Sequence, residues 1–213
     1  MCPVCGSKYI SGFKAGTQKI EQVVKARFPQ ARVLRMDMDT TRTKDGYEQI
    51  LSAFSNHEAD ILIGTQMIVK GHDFPGVTLV GVLAADLSLY ISDYRASERT
   101  FQLLTQAAGR AGRGDIPGNV IIKTYDPDNY SITTAKEQNY EAFYGQEIEY
   151  RKMMRYPPVW NMLYILCASK NEAAASEAAV ALMGKIDQIV RENSEKIFSI
   201  GPSDAPVAKI SDV

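Results

Sequence analysis

Apolar residues recur along the chain in two alternating rhythms. From Thr17 to Phe28 they fall at Ile20, Val23, Val24 and Phe28, the spacing of an amphipathic helix, and Pro29 follows as a stop. Tyr47 to Phe54 repeats that rhythm with Ile50, Leu51 and Phe54. Asp93 to Arg113 is the longest helical pattern, with Phe101, Leu104 and Ala108 in register. Between these stretches lie short strand-like runs: Tyr9 to Phe13, Ala31 to Met36, Asp60 to Gly64, Val77 to Ala84 and Val120 to Tyr125. Brief continuous aliphatic runs are typical of buried parallel strands. Strands separated by helices predict an α/β fold, a parallel sheet with helices on both faces. Further on, Tyr140 to Tyr156 reads as an acidic helix broken by Pro157 and Pro158. Met162 to Ala168 and Phe198 to Ile200 read as strands, with an alanine-rich helix from Glu172 to Val190 between them.

In a parallel sheet of this kind, ligands gather at the carboxyl ends of the strands. Gly64-Thr65-Gln66-Met67 directly follows one predicted strand, and Lys70-Gly71-His72-Asp73-Phe74-Pro75-Gly76 comes a few residues later. Hydroxyl, amide and backbone N–H groups on glycine-bearing loops suit the phosphates of a nucleic-acid backbone. Equally, these could be ordinary loops, with Asp73 satisfying local amides and Phe74 in the core. The end of the long helix reads Gln106-Ala-Ala-Gly-Arg110-Ala-Gly-Arg113. If it is helical throughout, Gln106, Arg110 and Arg113 share one face. The glycines, Gly109 among them, let another surface approach, and paired guanidinium groups suit a polyphosphate. The alternative is plain capping: cations are favoured near a helix C-terminus, and Gly114 is a fitting stop.

Charge changes the picture locally. The net charge is -1, which gives no bulk signal for a polyanion partner. Between Lys8 and Lys44, however, nine Lys and Arg face three acids, whereas Asp128 to Glu149 holds one Lys and five acids. A basic segment on a neutral protein fits a nucleic-acid partner or a merely solvated face. No run of about 18 apolar residues suggests a membrane span. Three cysteines do not make a disulfide scaffold, and an intracellular, cytoplasmic protein is expected. Cys2-Pro3-Val4-Cys5-Gly6 is a C-x-x-C turn with half the ligands that tetrahedral zinc needs; a fragment of a longer protein is expected, the alternative being an inert or redox-active leftover pair. Cys167, in an apolar run, reads as a buried core thiol. No G-x-x-x-x-G-K-[ST] and no strand-borne G-x-G-x-x-G occurs, so the chain has arginines for a phosphate but no loop of its own to cradle a nucleotide.

Longer motifs carry a resemblance. GTQMIVKGHDFPGVTLVGVLAAD, DYRASERTFQLLTQAAGRAGR and DPDNYSI…YPPVWNMLYIL resemble the primosomal protein N′ (PriA) family of bacterial replication-restart DNA helicases. CPVCGS is similar to the last cysteine pair of that family's zinc insertion. The resemblance runs from Cys2 to the end. It implies a superfamily-two helicase with two RecA-like lobes and ATP with Mg2+ bound between them, mainly by a first lobe carrying the P-loop.

This chain would then comprise a zinc-insertion remnant (1–7), the second RecA-like lobe (8–130), a helical connector (131–158) and part of a C-terminal α/β domain (159–213). Gln106, Gly109, Arg110 and Arg113 fall on motif six, whose arginines reach the γ-phosphate. Gly64, Thr65, Gln66, Gly71 and Asp73 fall on motif five, which contacts single-stranded DNA and couples it to hydrolysis; Lys70 lies in the same loop. Gly16, Thr17 and Glu21 match motif four, with Gln18 where an acid is common, just as Ala107 stands where valine is common. Cys2 and Cys5 fall on ligands of an incomplete Zn2+ site. The implied partners are forked and single-stranded DNA, single-strand-binding protein and primosome-loading proteins, with the chain a monomer. The implied activity is 3′-to-5′ unwinding by the whole protein, with this chain alone inactive and both arginines facing an open surface. The competing reading is a non-catalytic DNA- or primosome-binding module.

Overall fold

The structure is a computed structural model describing residues 16–41, 46–69, 74–112, 117–193 and 197–204. The strand expected at Tyr9 to Phe13 lies outside the described residues. The chain divides into two compact units, Met1–Trp160 and Asn161–Val213.

In the first unit the order is α1 (Thr17–Arg27), β1 (Val33–Met36), α2 (Gly46–Ser55), β2 (Ile61–Gly64) and a short 3-10 helix (Gln66–Val69). Then come β3 (Leu79–Val82), α3 (Asp86–Leu89), α4 (Ala96–Ala108), β4 (Asn119–Ile122), α5 (Tyr130–Lys136) and α6 (Tyr140–Met154). β1 and β2 pair in parallel, from Val33 opposite Ile61 to Met36 opposite Gly64. β3 and β4 do the same, from Leu79 opposite Asn119 to Val82 opposite Ile122. Parallel strands with helical crossovers are the α/β architecture that the residue pattern predicts. Among the described residues, though, they form two separate two-stranded sheets rather than one.

Each strand pair has its own core. Met36, Leu51 and Phe74 are buried at the first, with Phe54, Leu62 and Ile68 packed against them. Phe54 meets Phe74 edge-on, centroids 5.0 Å apart. At the second, α4 turns a stripe of Ala96, Thr100, Phe101, Leu104 and Ala107 inward. That stripe meets Ile132 and Ala135 of α5 and Phe143 of α6, with Phe101 stacked on Phe143 at 4.3 Å. The amino ends of β1 and β2 are tied by a salt bridge: Arg32 donates its backbone N–H and Nε to Asp60 Oδ2 and its Nη2 to Oδ1.

Two helices had no periodic signal, α3 and α5. Both are too short to show one; such segments become helical through packing rather than propensity. α5 and α6 are each opened by an asparagine side chain, Asn129 accepting from Ser131 N and Asn139 from Ala142 N. α4 is shorter than its pattern at both ends. Asp93 is spent outside the helix, accepting from Arg95 N at 2.9 Å and pairing with the Arg99 side chain.

A buried polar cluster joins three helices of this unit. Arg151 and Glu147, on α6, are 7% and 5% exposed. Arg151 donates through Nε to Glu147 Oε1 (2.7 Å), through Nη2 to Glu98 Oε2 on α4 (2.7 Å), and through Nη1 to Pro157 O (2.9 Å). Tyr130 at the start of α5 donates to Glu147 Oε2 at 2.6 Å.

The second unit holds α7 (Glu172–Asn193), whose start is capped by Asn171 Oδ1 accepting from Ala173 N. The strands expected at Met162 to Ala168 and Phe198 to Ile200 are not formed. A strand is stable only when paired, and among the described residues neither segment has a ladder partner. Leu163 and Ile200 are accordingly exposed, and Cys167 is only partly buried rather than a core thiol.

Candidate nucleotide and nucleic-acid interface

β2 delivers Gly64 to the carboxyl end of its strand, level with Met36 of β1. A Cβ at Gly64 would lie 2.6 Å from Met36 O and 2.7 Å from Ile68 Cγ2, so only glycine lets the chain leave the strand here. Thr65 and Gln66 follow, both exposed, and Thr65 O accepts from Ile68 N to start the 3-10 helix. Lys70, Gly71 and Asp73, the rest of that motif, lie outside the described residues.

The same edge receives the start of α1. Gly16 O accepts from Lys19 N and Ile20 N, and Thr17 Oγ1 donates to Asp37 Oδ2 just past the end of β1. Asp37 was not foreseen, although an acid directly after an aliphatic run and before Thr40-Thr41 was the available signal. Its Oδ1 also accepts from Asp39 N and Thr40 N. The Thr17 hydroxyl is the main cause holding its carboxyl below the ordinary value, against the opposing effect of burial. Thr17 thus spends its proton inside the protein. Glu21 lies one helical turn along α1 and pairs with Lys25 (2.7 Å) and Arg35 (3.3 Å). The other strand pair has a counterpart in Asp86, which follows β3 and accepts from Thr124 Oγ1 (2.6 Å) and Tyr125 N (3.1 Å). Burial pushes the Asp86 carboxyl up, but these bonds outweigh it and leave it below the ordinary value.

α4 ends at Ala108, so the shared helical face expected for Gln106, Arg110 and Arg113 does not extend through this stretch. Gly109 caps the helix, its N–H bonding back to Thr105 O. Gly112 then takes φ +73, and its N–H turns to Val77 O at 3.0 Å. The left-handed Gly112 turns the chain away before Gly114, after α4 has already ended at Ala108. Gln106 stays exposed on the last turn of α4. Arg110 is not on an open surface as expected. It is partly buried and donates from Nε (3.2 Å) and Nη2 (2.8 Å) to the carbonyl of Val69, the last residue of the 3-10 helix. A carbonyl that accepts from a residue 41 positions away leaves no mark in the sequence. Arg113 lies outside the described residues, as do Cys2 and Cys5. Among the described residues, no group of three or more His, Cys, Asp or Glu could hold a metal ion.

The helicase conserved C-terminal domain matches residues 9–115. The chain belongs to that helicase family. Over 99% of its length it is also similar to replication restart protein PriA, 48% identical to the protein of Bacillus subtilis, 42% to that of Synechocystis and 37% to that of Borreliella burgdorferi. The chain spans only 26%, 25% and 31% of those proteins' own lengths. Within this helicase domain, Arg110 joins the chain past α4 to the end of the 3-10 helix that follows Gly64 and Thr65, through the Val69 carbonyl. α6 and α7 lie beyond the domain match but within the PriA likeness. No helix of the described residues is long and apolar enough to cross a membrane.

Proposed function

We propose that this chain is the second motor lobe of an ATP-dependent 3′-to-5′ DNA helicase acting in replication restart and primosome assembly. The observation that supports it most is the bond from Arg110 to the Val69 carbonyl. It couples the arginine-bearing end of α4 to the exposed Thr65-Gln66 loop at the carboxyl edge of β2. In this reading Arg113 and Gln106 face the γ-phosphate of ATP, and Arg110 exchanges the Val69 carbonyl for it when ATP binds, with Gly109, Gly71 and Asp73 on the nucleotide side. Gly64, Thr65, Gln66, Lys70, Gly16 and Thr17, the last through its main chain because its hydroxyl is spent on Asp37, follow the DNA backbone, and Cys2 and Cys5 supply half of a zinc site. Guanidinium groups and an adjoining glycine-rich turn suit a polyphosphate. The sequence holds no P-loop, so ATP and its Mg2+ depend on a first lobe. Bound ATP supplies the phosphoryl transfer; the residues of this chain stabilise negative charge and hold the DNA strand. Forked and single-stranded DNA, single-strand-binding protein and primosome-loading proteins are the partners this role requires, in the cytoplasm.

The test is Arg113→Ala in the full-length protein. Arginines acting on a γ-phosphoryl are worth about 10³–10⁵ in rate, so ATP turnover should collapse while DNA affinity holds. Turnover that survives the change would favour a non-catalytic DNA- or primosome-binding module. The isolated chain should show no DNA-stimulated ATP hydrolysis.

A further inference from the structure

We infer that Arg151 is a positioning residue that makes α4 and the connector α5–α6 one rigid body, through which movement at the glycine-arginine stretch reaches the chain beyond Pro157. The inference rests on the motor-lobe reading above and concerns residues to which that reading gives no part.

The geometry points there for three reasons. First, each of the three guanidinium nitrogens donates a hydrogen bond, and to three different pieces of chain. Nε binds Glu147 on its own helix, Nη2 binds Glu98 in the first turn of α4, and Nη1 binds the Pro157 carbonyl just past α6. A planar fork that meets three acceptors fixes orientation as well as distance. Second, the surroundings are stiff. The Arg151 guanidinium lies 5.4 Å from the centre of the Tyr94 ring, in the loop that leads into α4, and Tyr94 itself packs on Tyr156 at 5.6 Å. Glu147 is held from its other oxygen by Tyr130, which brings in α5. Third, α4 is anchored at both ends. Its first turn is bound through Glu98 to Arg151, and just past its last turn Arg110 is bound to Val69. A shift of the Arg110 end therefore moves a rod whose far end is bonded to the connector, and the connector leads covalently into the second unit.

Stability alone does not account for the Glu98 arm. The Glu147–Arg151 pair is already complete within α6, and the Glu98 side chain is 37% exposed. Water can therefore replace the Glu98 carboxylate, and what the arm adds beyond the α6 pair is a link between two elements.

The experiment is Glu98→Ala in the full-length protein, which cuts the α4 arm and leaves the buried Arg151–Glu147 pair intact. ATP turnover with single-stranded DNA and strand separation on a forked duplex are measured on the same preparations, with thermal denaturation alongside. DNA-stimulated turnover should remain near the parent's, while duplex opened per ATP consumed should fall about fivefold, within the range of residues that couple distant sites. Glu98→Asp, which keeps the charge, should recover part of that ratio. An unchanged ratio, or turnover and unwinding falling together with the melting temperature, would overturn the inference and leave Arg151 a fold-supporting residue. If the parent protein itself hydrolyses no ATP with DNA, the motor-lobe reading fails, and this inference fails with it.

Discussion

Arg32 and Arg151 both bind carboxylate, in opposite surroundings. Each sets two arms of its guanidinium on carboxylate, Arg32 on Asp60 and Arg151 on Glu147 and Glu98. Arg32 and Asp60 stand largely in water, with side chains 56% and 46% exposed, whereas Arg151 and Glu147 are 8% and 6% exposed. In water, an ion pair exchanges one set of good hydrogen bonds for another and is screened by salt. In the interior, the same pair has no solvent to fall back on, and its solvation comes from the two partners and from Glu98, the Pro157 carbonyl and the Tyr130 hydroxyl. Arg32 therefore fastens a strand end locally, while Arg151 ties helices together at the cost of being hard to remove. Chemical identity does not set an arginine's role; its solvent does.

The contrast can be broken most forcefully at Arg151. Arg151→Met strands Glu147 in the interior with only the Tyr130 hydroxyl, and should cost about 3–5 kcal/mol in urea denaturation of the chain. Adding Glu147→Leu should recover most of that loss, because an apolar pair of similar volume often matches a buried ion pair. If the double variant is no more stable than the single one, burial is not what distinguishes this arginine. Gly64→Ala tests the β1–β2 half by sterics instead. Its Cβ would meet the Met36 carbonyl at 2.6 Å, and forcing it in should cost about 1–3 kcal/mol, read from the same urea curves.

The smallest effect belongs to Asp60. Arg32 holds its carboxyl at about 2, well below the ordinary 3.8. A carboxyl whose folded value is depressed stabilises the fold at higher pH and loses that contribution as pH falls toward its folded value. Asp60→Asn should therefore lower the melting temperature slightly at neutral pH, with the difference from the parent closing between about pH 4 and pH 2. A gap that persists at pH 2 would mean that Asp60 acts through shape rather than charge. The corresponding difference should also shrink in high salt, as it should not for Arg151.

Much of this fold was legible beforehand because it is written in local rhythm. The helical spacing from Thr17 to Phe28 became α1, the aliphatic run at Asp60 to Gly64 became β2, and Phe101 and Leu104 did turn inward from α4. Periodicity reports which face of an element avoids water, and short range suffices for that. Where the rhythm failed, a local rule had been overruled. α4 stopped at Ala108, with Gly109 as its cap and before Arg110, and Met162 to Ala168, aliphatic enough for a strand, found no strand to pair with among the described residues.

The sequence by itself determined the parallel α/β plan, the glycine at the end of β2 and the Thr65-Gln66 loop beyond it. It also placed the two glycine-arginine steps at the end of the longest helical pattern in the first unit. Only the tertiary structure decided what those groups touch: Arg110 on the Val69 carbonyl, Thr17 on Asp37, and Arg151 on Glu98 across 53 residues of chain. The physical reason is one of range. Burial preference and backbone propensity act on a residue and its near neighbours. A guanidinium chooses its acceptor only after packing has brought distant segments together and taken water away from both.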